Sequence, residues 1–171
     1  MRKRTLLSLM ALAPLVSACG FRLRGVPEFP FSSIYLKAGA GSSFARELQR
    51  NLATAGDKLK VLRDPALPDQ AEVIWQLLGE TRQRIIISKN AAGQVRDLQL
   101  RYRMTFRLYA QDGSEWIAPT ELEQQRDMSY DETLALAKEQ EAEVLYQTMQ
   151  SDLVQQVMRR LSSAQRPAAE S

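Results

Sequence analysis

The sequence predicts an α+β fold. It reads as a two-layer sandwich of two amphipathic helices on a four-stranded mixed, mostly antiparallel sheet, in the order β-α-β-β-β-α. Three observations lead there. Leu98, Leu100, Tyr102, Met104, Phe106 and Leu108 alternate with Asp97, Gln99, Arg101, Arg103, Thr105 and Arg107. A period of two puts the first set on a core and the second towards solvent or a ligand. Ala142, Leu145, Tyr146, Met149, Leu153, Val157 and Leu161 recur at helical spacing, with Val144, Val154 and Met158 beside them. Asn90-Ala91-Ala92-Gly93 and Gln111-Asp112-Gly113-Ser114 then supply the turns of an antiparallel meander.

The remaining elements follow in chain order. Residues 1–18 carry Arg2, Lys3 and Arg4 and then an apolar run from Thr5 to Val16. A membrane-spanning helix needs about 20 apolar residues, so this run is expected to be a removable secretory leader. Residues 19–31 contain Gly25, Pro27 and Pro30 and read as a tether without regular structure. One domain is expected over residues 32–161. Ser32 to Ala38 is its first strand, with Ile34, Tyr35 and Leu36 at its centre. Ser42 or Ser43 can cap a helix over about residues 43–55, in which Phe44, Leu48 and Leu52 share a face. Asp64-Pro65 and Leu67-Pro68-Asp69 mark a loop. Val73, Trp75 and Leu77 open a second strand that continues through Ile85-Ile86-Ile87. After the strand of Leu98–Leu108 comes a fourth, Trp116 to Tyr130, in which Trp116, Leu122 and Met128 share a face. Pro119 favours an edge position or a bulge there. The long helix starts near Thr133, with Arg159 and Arg160 at its C-terminal end opposing the helix dipole. Residues 162–171 read as a disordered tail.

Charge and composition narrow the function classes. The chain carries 23 basic and 20 acidic residues. Without the three basic residues of the leader, 20 face 20, so the charge balance gives no argument for nucleic acid. The neutral total hides a segregation. Arg82, Arg84, Lys89, Arg96, Arg101, Arg103 and Arg107 lie in one stretch with a single acid, Asp97. The next stretch, Asp112 to Glu143, is strongly acidic. Neighbouring strands could pair these charges across a solvent face, or the basic stretch could meet an anionic ligand. There is no histidine and one cysteine. That removes His-based triads, the usual zinc sets and any disulfide within the chain. Glu121 and Glu123 lie two apart on one strand face and could mimic a catalytic carboxylate pair. No cleft is evident beside them, so no enzymatic role and no cofactor are expected.

The one cysteine stands at the end of the leader. Val16-Ser17-Ala18-Cys19 resembles the lipobox of bacterial lipoproteins. That resemblance implies cleavage before Cys19 and acylation of it. Several acyl chains make attachment effectively permanent, at roughly 0.8 kcal/mol per buried methylene. Gly20, where an aspartate would favour inner-membrane retention, resembles an outer-membrane address.

The residues after Cys19 narrow the resemblance. Cys19-Gly20-Phe21-Arg22-Leu23-Arg24 resembles the Cys-Gly-aromatic-x-Leu-Arg opening of the LptE family of lipopolysaccharide-assembly lipoproteins. Ser88-Lys89-Asn90 to Gly93-Gln94 is similar to that family's basic-Asn-Gly-Gln turn, with one or two residues inserted. Ala135-Leu136-Ala137-Lys138 matches its segment leading into the last helix. The resemblance implies a non-enzymatic protein held as a plug inside the LptD β-barrel of the outer membrane. There it would support barrel assembly and bind lipopolysaccharide on its way to the outer leaflet. By resemblance, Lys89 and Lys138 are the lipopolysaccharide-binding residues, because ammonium groups suit a polyanionic glycolipid. Lys89 could equally be a solvated turn lysine, and Lys138 an ordinary helix-surface partner of Glu141 or of acids near Asp131. Arg101, Arg103 and Arg107 are possible additional anionic contacts, or a solvated strand face.

Overall fold

The computed structural model describes residues 28–167. The expected leader, Cys19 and residues 168–171 of the expected tail lie outside the described residues.

Five strands and two helices make the fold. They are β1 (Ser33–Lys37), α1 (Ser43–Ala53), β2 (Lys60–Leu62), β3 (Val73–Lys89), β4 (Val95–Ala110), β5 (Glu115–Ser129) and α2 (Ala135–Ser162). The sheet order is β2-β1-β3-β4-β5. β1 runs parallel to both β2 and β3, and β3, β4 and β5 form the antiparallel meander. The α+β class and the mixed sheet agree with the sequence reading. The strand count corrects it, from four to five. The extra strand is β2, three residues that pair with Ser33, Ile34 and Tyr35. A run of Lys-Val-Leu is too short to show a period; backbone pairing to β1 makes it a strand.

Both helices pack on one face of the sheet around a single main core. Ser42 caps α1 by accepting a hydrogen bond from the Ala45 backbone N–H at 3.1 Å. Phe44, Leu48 and Leu52 are then buried, as their spacing requires. Trp75 is the centre of this core, fully buried and stacked between Phe44 and Phe106 with ring centroids 6.1 Å away on each side. In β4, Leu98, Leu100, Tyr102, Met104, Phe106 and Leu108 are all buried, and residues between them are half-exposed. On α2, Ala142, Tyr146, Met149, Leu153, Val157 and Leu161 are buried, with Val154 and Met158. Val144 is 61% exposed, because it lies two residues, about 200° of helical turn, from Tyr146. A small second cluster of Tyr35, Ala71 and Ile74 closes the opposite face at the β1 end.

Bulges shape the long strands. Leu78 is an extra residue between the pairs Leu77–Phe106 and Gly79–Thr105. It shifts the alternation of β3, so that Glu80, Arg82 and Arg84 stand opposite Met104, Tyr102 and Leu100 on the helix face. Ala118 and Pro119 make a similar irregularity in β5, between the pairs Leu108–Ile117 and Phe106–Thr120. Proline thus sits at a bulge on an edge strand, where no ladder hydrogen bond is lost.

Candidate functional site

The β3–β4 hairpin ends in a turn built by Asn90. Its side-chain Oδ1 accepts from the backbone N–H groups of Ala92 and Gln94, at 3.0 and 2.9 Å. Its own N–H donates to the Gln94 carbonyl, and Gly93 takes φ +82°, a conformation open to glycine. Next to this turn the ladder is irregular. Ser88 faces Asp97, while Lys89 faces Val95, so Arg96 is an unpaired extra residue in β4. A bulge re-aims the side chain it carries. Lys89 and Arg96 are both exposed at this tip.

A hollow of about 310 Å³ opens beside Arg96. Asn90, Gln94, Val95 and Arg96 line one side, and Tyr130, Asp131, Glu132 and Thr133 the other. The Tyr130 N–H donates to the Arg96 carbonyl at 2.7 Å, which joins the hairpin to the end of β5. Asp131 begins the short helical turn Glu132–Leu134 by accepting from Thr133, through its N–H at 2.9 Å and its hydroxyl at 2.7 Å. Those two bonds hold the Asp131 carboxyl below its ordinary pKa, with smaller help from the charges of Arg96 and Lys138.

Lys138 stands in the first turn of α2. Four residues before Ala142, it continues the buried stripe, and its side chain is only 16% exposed. Its Nζ donates to Ser129 Oγ at 3.1 Å and to Glu141 Oε2 at 2.9 Å. The aliphatic stem therefore covers the end of the core while the ammonium reaches the rim. The register brings Lys89 and Lys138 to the same end of the molecule. Lys89 lies one residue from Ser88, Ser88 faces Asp97, and Asp97 faces Ser129.

The basic stretch is resolved into two kinds of cation. On the outer face of the sheet, Arg101 Nε lies 3.3 Å from Glu123. Arg103 bridges Glu121 at 3.2 Å and Glu123 at 2.7 Å. Arg107 lies 3.6 Å from Glu115, donates twice to Gln76 Oε1 and covers the Tyr109 ring. On the helix face, Arg82 meets Glu143 at 3.4 Å and Arg84 grips Glu139 at 2.5 Å. Among the described residues, Lys89 and Arg96 are the two cations of this stretch without an ion pair. The structure thus separates Arg101, Arg103 and Arg107 from the hairpin tip and sets them against the acidic strand. It also occupies the Glu121 and Glu123 carboxylates with Arg103. Arg96 is the residue that sequence reasoning missed as a site candidate. Its position in a bulge depends on pairing across the hairpin, which a period of two in β4 does not reveal.

A buried polar cluster closes the core behind the tip. The Tyr102 hydroxyl donates to Glu80 and lies 3.3 Å from Gln150 Oε1, and burial raises its pKa strongly. Arg82 covers the Tyr102 and Tyr146 rings, 4.9 and 5.3 Å from their centroids. Among the described residues, no group of three or more acidic, histidine or cysteine side chains could hold a metal ion. No helix among them is long and apolar enough to cross a membrane.

A family profile described as LptE, lipopolysaccharide-assembly, matches residues 26–161. The chain belongs to the LptE family. The LPS-assembly lipoprotein LptE of Yersinia pestis (strain Pestoides F) is 29% identical over 165 residues, which cover 94% of this chain and 77% of that protein. The solution structure of lipoprotein B from Nitrosomonas europaea is similar at a TM-score of 0.70 and 34% identity, covering 84% of this chain and 91% of that one. The crystal structure of rare lipoprotein B from Shewanella oneidensis shares the fold at a TM-score of 0.64 and 23% identity, over 77% and 94% of the two chains. LptE proteins are non-enzymatic lipoproteins of lipopolysaccharide assembly at the outer membrane, and this chain is one of them.

Proposed function

We propose that this LptE-family domain sits as a plug in the lumen of an LptD-like outer-membrane β-barrel, supports assembly of that barrel, and binds lipopolysaccharide through its hairpin end. The expected acylated Cys19 and the tether then hold the domain on the periplasmic side of the membrane. The observation that carries the ligand reading is the pair Lys89 and Arg96. Both are exposed on one hairpin tip beside a hollow, while the other cations of the basic stretch are already neutralised by carboxylates. Lipid A phosphates and acidic core sugars suit such unpaired donors. Lys138 adds positive charge at the rim, although its first task is to seat α2. Arg101, Arg103 and Arg107 could reach an anion only by giving up a carboxylate partner, and they enter this proposal as secondary contacts.

Binding of purified lipopolysaccharide to the mature lipoprotein in detergent at low salt is the test. Lys89→Glu with Arg96→Glu is expected to weaken binding at least as much as Lys89→Glu with Lys138→Glu, with the melting temperature unchanged only in the first pair. Equal affinity of all three proteins at low salt, where charge is least screened, contradicts the assignment.

A further inference from the structure

The tether enters the fold at one end of the molecule. Glu28 follows the expected anchor, Cys19, by nine residues. Such a segment spans at most about 32 Å when fully extended. Lys58, just past the end of α1, holds Glu28 at 3.4 Å. Phe29 then stacks on Phe31, and Phe31 meets Trp116 at the start of β5. The 17 residues of β3 carry the hairpin tip to the opposite end, roughly 50 Å away at about 3.3 Å per residue. An anchored lipoprotein therefore brings the Glu28 end, and not the tip, within reach of the leaflet that holds its acyl chains.

Both helices finish at this same end. α1 and α2 run side by side in one direction, joined by Ser43–Gln150 at 2.8 Å, Glu47–Ser151 at 2.6 Å and Asn51–Gln155 at 2.9 Å. Arg50, Lys58, Arg159 and Arg160 are all exposed there. Among the described residues, Arg50, Arg159 and Arg160 have no ion pair. The acids beside them are Asp57 and the Glu28 already held by Lys58, and from Leu153 to Arg166 the chain has none. The sheet side of the same end has no such excess. Asp69, Glu72, Asp112 and Glu115 stand there with Lys60, Arg107 and Arg166. The helix dipoles also favour cations in these last turns; the tether is what gives those cations a surface to meet.

We propose that the ends of α1 and α2, through Arg50, Lys58, Arg159 and Arg160, rest on the anionic phospholipid headgroups of the leaflet that holds the anchor. The reach of the tether selects the occupant, because a lipid surface is the one partner that acylation of Cys19 brings to this end. Acyl chains fix the protein at the membrane but leave it free to turn. Basic side chains are drawn to an anionic leaflet within a Debye length, about 8–10 Å, so they set which side faces down. The helix ends then lie on the headgroups and the hairpin tip points away from them. The inference rests on the anchor at Cys19 and goes beyond the plug reading, since it needs no barrel.

The test is quenching of a fluorophore by headgroup-labelled lipid, with the acylated full-length lipoprotein reconstituted in vesicles. The vesicles are of phosphatidylcholine alone or of phosphatidylcholine with phosphatidylglycerol. The fluorophore is placed at Gln165→Cys beyond α2, or at Ala91→Cys on the hairpin tip, both exposed positions. The probe at residue 165 is expected to be quenched more strongly when phosphatidylglycerol is present, and added salt should remove the difference. The probe at residue 91 should be quenched little in either vesicle. Arg159→Glu with Arg160→Glu should abolish the difference. That reversal also opposes the helix dipole, so Arg159→Gln with Arg160→Gln is measured beside it and should lose most of the difference at an unchanged melting temperature. Equal quenching in the two vesicles overturns the proposal, as does stronger quenching at residue 91 or an effect that survives both double variants. Fatty-acid labelling separates the anchor from the surface. A labelled lipoprotein without the phosphatidylglycerol effect sinks the surface alone, and an unlabelled one sinks the anchor and the surface together.

Discussion

Lys138 of α2 donates to Ser129 Oγ of β5 at 3.1 Å, and this contact ties the start of the long helix to the end of the meander. From Ala135 to Glu141, Lys138 is the one helical residue that is not exposed. Removing its charge and removing its stem should therefore have different effects. Lys138→Met keeps the stem, and its stability should stay within about 1 kcal/mol of the parent. Lys138→Glu sets a carboxylate beside Glu141 and Asp131 and should lose more. Denaturant unfolding of the two variants checks this order, and equal losses would show that the buried stem is irrelevant.

The first two turns of α2 should loosen in acid. Lys138 is their one largely buried side chain, and they are held besides by Arg84–Glu139 and the Asp131 turn, with Arg82–Glu143 just beyond. Arg84 holds the Glu139 carboxyl below its ordinary pKa, and Thr133 does the same for Asp131. Carboxyls depressed in the folded state stabilise it fully above the ordinary carboxylate range, about pH 4, and lose that effect as pH falls through their lower folded values. Amide exchange in residues 135–141 should accelerate as pH drops below about 4, after correction for the intrinsic rate, while residues 149–158 stay protected. Uniform protection along the helix at low pH would show that the ion pairs do not hold it.

Cys19→Ala should leave an unprocessed or soluble protein. The residue is the single cysteine of the chain, and the lipobox reading assigns the whole anchor to it. Metabolic labelling with a fatty acid, followed by membrane fractionation, reads the outcome. Normal labelling of the variant would remove the anchor from this position.

The main elements were legible because one periodicity dominated each. In β4 a single face is buried along its whole length, so a period of two survives intact. In α1 and α2 the buried stripes recur at helical spacing. What stayed hidden depends on the partner strand. β2 has three residues and exists through its pairing with β1. The bulge at Leu78 reverses β3, and the one at Arg96 isolates a cation at the hairpin tip. Neither leaves a mark in the order of residue types. The basic and acidic stretches were visible as composition. Their neutralisation of each other, through pairs such as Arg103 with Glu121 and Glu123, required the β4–β5 register.

The plug assignment is tested most directly by recovering the tagged, full-length lipoprotein from detergent-solubilised outer membranes. A large LptD-like β-barrel should co-elute in equal amount, and should remain bound to the variant with Lys89→Glu and Arg96→Glu. Recovery of the lipoprotein without any such barrel would contradict the account.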